Sequence, residues 1–250
     1  MPAARTRARR SAGLLVVGLA AGALLTGCGG GQTRTAPAAA THSATTAPAA
    51  DTQDLAVGLL PAQAFGDDAT PMPVPLDRLG AMAPMGAPPV GVDVQPPRCL
   101  AAVQAVLPEL AAVHDAAAQV ARSAGTVSVE ALAVPGPDAD VVGTVRQLTT
   151  ACAAVDVTAA DHGSAHLTVT AVPVPPAAGL PDRTAVVALT ATATGADGRA
   201  WSGTALAGVV EDGDRVLALA QMAPQGGQPS SASFTDLLSQ AYRTQADALD

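Results

Sequence analysis

The chain reads as an α+β domain, with a mainly antiparallel twisted sheet packed by helices. Three observations predict this. The second half holds four β-type runs, 165–174, 184–194, 199–210 and 215–222. Two of the joints between them are Asp-Gly, at Asp197-Gly198 and Asp212-Gly213, the strongest short hairpin signal between alternating runs. The chain then closes on an amphipathic helix, 234–249, whose stripe is Phe234, Leu237, Leu238, Ala241, Gln245, Ala248 and Leu249. A four-strand meander with a helix across its buried face is the economical way to cover both apolar surfaces.

In chain order, residues 1–27 read as a secretory signal. Arg5, Arg7, Arg9 and Arg10 precede an apolar run of about 14 residues, short of the roughly 20 needed to span a bilayer. Leu25-Thr26-Gly27-Cys28 closes the run and looks like a bacterial lipobox. In lipoproteins with that motif the cysteine is diacylated and becomes the first mature residue, so Cys28 is the expected lipid attachment site. Two acyl chains anchor stably where one does not. Arg9-Arg10 leaves twin-arginine export open beside the general route, although Ala12 and Gly13 stand where that signal wants apolar residues.

Residues 28–50 form the lipidated cysteine and a Thr/Ala/Pro linker without apolar periodicity. Such a coil reaches ~25 Å on average and ~70 Å when stretched, and its composition fits O-glycosylation. His42 lies in it as a solvated residue. Residues 51–250 are read as one globular domain.

Within the domain, Pro61 and Gly66 suit the start and stop of a short helix over 59–66. Residues 67–97, with eight prolines, read as a long loop. Its Met72, Met82 and Met85 either pack it down or line an adaptable apolar site. A helix over 99–107 places Cys99, Val103 and Val106/Leu107 on one face. A second, over 138–152, aligns Val141, Val145, Leu148 and Cys152, with Asp138 as its N-cap. Strands over 116–122 and 126–134 flank Gly125; in the latter Val127, Val129, Ala131 and Ala133 alternate with Ser128 and Glu130. In 184–194, Thr190, Thr192 and Thr194 share one face and Val187, Leu189 and Ala191 the other. Ser233 and Asp236 give the last helix a capping-box-like start, with Tyr242 at the margin of its stripe.

With Cys28 assigned to lipid, Cys99 and Cys152 remain, an even pair in an oxidising compartment, and are expected to form a disulfide between two core-facing stripes. Free thiols or a metal pair are the alternative, but no CxxC or third ligand stands nearby.

Composition narrows function. The formal charge of −8 becomes about −12 once residues 1–27 are removed, and there is no Lys. An acidic, Lys-free surface argues against nucleic acid and against electrostatic adhesion to anionic lipid; membrane attachment rests on the lipid. Aromatics are 2% of residues, so the core is built from Ala, Val and Leu. The Ala- and Arg-rich bias looks actinobacterial.

No constellation of reactive groups emerges. His162 and His166 with Asp161 flank a turn at Gly163, which reads as a polar loop before it reads as zinc; His114-Asp115 reads as surface. No nucleophile elbow, zincin, P-loop or dinucleotide motif occurs. Asp67-Asp68 and Asp212/Asp214 sit in turns. Trp201 is either a ligand platform at a sheet edge or core. No catalytic residue, metal or cofactor is expected.

Leu59-Leu60-Pro61-Ala62, Pro96-Pro97-Arg98-Cys99, the helix ending at Cys152, 212–220 and Phe234-Thr235-Asp236-Leu237-Leu238 with Gln240-Ala241-Tyr242 together resemble actinobacterial lipoproteins. Their domain is similar to the extracellular sensor domain of PknH-type receptor kinases. The resemblance covers about residues 54–250. It implies a twisted antiparallel sheet with helices, a cleft and two disulfides, of which this chain has cysteines for one. It also implies a non-catalytic, sensor-like module at the outer face of the plasma membrane that binds an envelope ligand or a protein partner. The alternative is a carrier of lipid or another hydrophobic ligand, which needs a large cavity lined by apolar groups; an apolar tunnel near the Met-bearing loop would argue for it.

Overall fold

A computed structural model describes residues 54–74, 91–111, 113, 115–123, 125–159, 163–223 and 227–250, with side chains of 105–111 left aside. Cys28, the linker, Met82, Met85, His114, Asp161 and His162 lie outside the described residues.

Nine antiparallel strands form one open sheet: β1 (Thr70–Pro73), β2 (Val92–Gln95), β3 (Asp115–Ser123), β4 (Thr126–Val134), β5 (Ala154–Ala159), β6 (Gly163–Ala171), β7 (Thr184–Gly195), β8 (Ala200–Asp212) and β9 (Arg215–Met222). Their order is β1-β3-β4-β9-β8-β7-β6-β5-β2. The four predicted C-terminal strands are the contiguous block β6 to β9. The positive φ of Gly198 (76°) and Gly213 (60°) is the backbone state that Asp-Gly turns require. Three helices pack on the sheet: α1 (Pro97–Ala111), α2 (Val141–Ala151) and α3 (Ser231–Leu249). Among the described residues no helix is long and apolar enough to cross a membrane.

Each face is covered over a different part. On the front, α3 lies over β8 and β9, and its Phe234, Leu237, Leu238 and Ala241 close a core with Leu132, Val186, Leu206, Val210, Leu217 and Leu219. On the back, α2 crosses β6 to β8 and α1 lies beside α2 and β2; Cys99, Leu148 and Cys152 pack with Val155, Leu167 and Ala191. The Cys99 and Cys152 sulfurs are bonded, with Cα atoms 4.8 Å apart, and tie α1 to the end of α2. The meander therefore buries opposite faces at its two ends, where the sequence reads one buried face throughout.

Several expectations need correcting. The 67–97 loop contains β1 and β2, four-residue strands that close opposite edges of the sheet. Proline is tolerated at an edge, where no ladder donor is needed on the outer side. Of the predicted helix at 59–66, Leu59 and Pro61 are extended and Ala62–Phe65 is a single 3₁₀ turn; another 3₁₀ turn, Leu55–Gly58, precedes it. The cap of α2 is Asp140, whose carboxylate accepts from Gly143 N at 3.0 Å. Asp138 is spent in the preceding turn, closed by Ala139 N donating to Gly136 O. Buried Glu211 accepts from Val142 N at 3.1 Å, and Arg183 pairs with both Asp140 and Glu211, so the α2 terminus is fixed to β7 and β8. α3 begins at Ser231, earlier than predicted, because Ser230 caps it by accepting from Ser233 N.

Candidate functional site

Beyond the reach of α3, the front of the sheet turns polar. Along β7 the front-facing residues pass from Val186 and Ala188, packed in or against the α3 core, to Thr190, Thr192 and Thr194, which are exposed. Strand register sets two cross-strand rows here. Asp156, His166, Thr192 and Ser202 stand side by side on β5 to β8. Two residues along, Thr158, Ser164, Thr194 and Ala200 form a parallel row. All eight are exposed. Between the rows runs a shallow groove of about 410 Å³.

Its floor is the backbone of the intervening residues Val157, Ala165, Ala193 and Trp201, which line the groove while their side chains point to the back by strand alternation. Val157 and Ala165 pack against the disulfide-braced cluster. The β5–β6 half of the groove floor is thus backed by the cluster beneath the two helices.

His166 Nδ1 lies 2.7 Å from an Asp156 carboxylate oxygen, and both side chains are about half or more exposed. His166 is therefore a strand residue paired across β5–β6. Among the described residues its second nitrogen has no hydrogen-bonded hydroxyl partner, and no group of three metal-ligating side chains gathers.

Trp201 is 47% exposed and is not core. Its ring lies over Gly203 on the back face: a Cβ at that position would meet two ring carbons at 2.7 and 2.9 Å. A second open depression, about 460 Å³, lies beside α3 next to the 176–178 turn, where Arg243 donates to Ser239 Oγ and Ser239 donates to Ala178 O.

The most perturbed carboxyl is elsewhere and is structural. Glu130 is fully buried on the front of β4. Its carboxyl accepts from Leu60 N at 3.0 and 3.2 Å and from Gln119 Nε2 at 2.6 Å, while Gln119 also donates to Leu60 O at 2.8 Å. This clamp holds the Leu59–Pro61 segment onto the sheet. Burial raises the carboxyl above its ordinary value of 4.5, and the bonds from Gln119 and Leu60 only partly oppose that. A raised carboxyl makes the native state bind the proton more tightly than the unfolded chain does. Its contribution to stability is complete below the unfolded pKa and declines as pH rises through the native one. In urea titrations across pH 4 to 8, the stability of the wild type relative to Glu130→Gln is expected to fall with rising pH, with a slope of at most about 1.4 kcal/mol per unit. A pH-independent difference would contradict this assignment.

No family model and no curated protein matches the chain. Among solved structures it is similar to the extracellular domain of PknH from Mycobacterium tuberculosis, at 14% identity over 77% of this chain and 95% of that one, with a TM-score of 0.44. It is also similar to a protein from Mycobacterium smegmatis, an Rv0999 ortholog, at 16% identity over 72% of this chain and 90% of that one, with a TM-score of 0.41. The likeness is one of fold.

Proposed function

We propose that this chain is a non-catalytic cell-envelope lipoprotein. Its 51–250 domain, tethered at the outer face of the plasma membrane through lipid on Cys28 and the 29–50 linker, binds an envelope ligand or a protein partner. The observation that carries the reading is Leu25-Thr26-Gly27-Cys28 placed directly after a basic start and a short apolar run. The Cys99–Cys152 bond supports it, since such bonds persist in oxidising compartments. The two depressions described above are open to solvent and bear polar side chains, which supports a surface-binding module.

Cys28→Ala is the test. The expected result is an intact fold, with the same thermal transition, and loss of the protein from the membrane fraction into the medium or wash. Retention of the variant with the membrane would sink the anchor.

A further inference from the structure

The groove between the two rows carries an inference about the ligand. Among the described residues its ionisable side chains are Asp156 and His166, which are hydrogen-bonded to each other at 2.7 Å, and no Arg stands in its lining to hold an anion. The remaining polar side chains are the hydroxyls of Thr158, Ser164, Thr192, Thr194 and Ser202. Among the described residues none of these hydroxyls is engaged by another protein group. A hydroxyl donates once and accepts twice. A surface of free hydroxyls therefore matches a ligand whose own groups also donate and accept. A purely accepting phosphate would leave the hydroxyl lone pairs unused, and a purely donating amine would leave the O–H donors unused.

The spacing is periodic as well. Neighbours within a row recur at the strand separation of about 4.8 Å, and the rows stand two residues, about 6.8 Å, apart. Such a lattice suits a chain of repeating rings laid across the strands. The volume falls in the range of small-ligand sites. The floor is held from behind by the disulfide-braced cluster, so little ordering is needed on binding.

We propose that the groove binds a neutral saccharide chain, with ring hydroxyls exchanging hydrogen bonds with the two rows across β5 to β8. The inference rests on the binding-module reading above and names its ligand class.

The test uses the full chain purified from an actinobacterial host. It is applied to immobilised neutral glucans, mannans, galactans and arabinans, with heparin as the polyanion. Retention by at least one neutral polymer is expected, with the amide resonances of Thr192, Thr194 and Ser202 shifting on addition of its oligosaccharide. Thr192→Val/Thr194→Val keeps β-branched side chains and removes two hydroxyls. It should weaken binding at least about tenfold, while Met72→Gln on the far edge strand leaves it unchanged. The saccharide assignment is overturned by no retention on any neutral polymer, by retention on heparin alone, or by binding that the double valine variant does not weaken. The lipid-anchor part of the proposed function fails separately, as a Cys28→Ala protein that stays in the membrane.

Discussion

Replacing Cys99 and Cys152 by Ser is expected to lower unfolding free energy by ~4 kcal/mol under oxidising conditions. The bonded residues lie 53 apart in sequence, and closing a loop of that length removes conformational freedom mainly from the unfolded chain. The native side loses little packing, because both half-cystines are small and already sit among Leu148, Val155 and Leu167. The effect should be read as a shift in urea midpoint, with reductant bringing the wild type to the level of the double variant. An unchanged midpoint would mean that the bond constrains nothing the fold does not already hold. The consequence reaches past stability. α1 and α2 back the floor of the hydroxyl groove, so hydrogen exchange in β5 and β6 should accelerate in the variant before exchange in β9 does.

That pattern bears on what the sequence could disclose. The meander was legible because its strands are long, alternate cleanly and meet at Asp-Gly. The short strands β1, β2 and β5 were not, since four to six residues carry too little periodicity and β1 contains two prolines. Missing β5 hid the site. His166 meets Asp156, ten residues earlier, only once β5 and β6 are paired, and the Thr192 face becomes a groove wall only beside them. The three threonines of β7 were visible in sequence as one polar face, but a polar face has no address until its neighbours in the sheet are known.

In β4 the alternation holds, but the buried side is not the one hydrophobicity alone would choose. The sequence sets Val127 and Val129 against Ser128 and Glu130, a pattern that would ordinarily bury the valines. The structure buries Ser128, Glu130 and Leu132 on the front and leaves the valines half-buried behind. What reverses the choice is the backbone of Leu60, whose N–H and C=O need partners once Leu60 is buried. A contact spanning 70 residues leaves no local signal. Gln245, read as a member of the apolar stripe of α3, is fully buried with it, and neither amide atom has a hydrogen-bond partner among the described residues.

The other large effect is expected at Phe234→Ala, a loss of about 3–5 kcal/mol measured by urea unfolding. Phe234 is fully buried in the first turns of α3, against the front of the sheet. The contact is close because β8 has a glycine beneath it. A Cβ at Gly208 would stand 2.7 Å from Leu238 Cδ2 and 3.2 Å from Phe234 Cε1. The helix is therefore set down on backbone, and truncating the ring opens a cavity bounded by strand atoms that cannot move in to fill it. The lining of that cavity is otherwise mainly Leu, Val and Ala, with Phe65 and Tyr242 partly buried against the same core. A loss below about 1 kcal/mol would show that α3 can settle onto the sheet, and with it that Gly208 is not what fixes their separation. Gly208→Ala decides between these from the opposite side: if the helix is held where the ring puts it, the added methyl has nowhere to go and destabilises by overpacking, whereas a helix free to shift would absorb it.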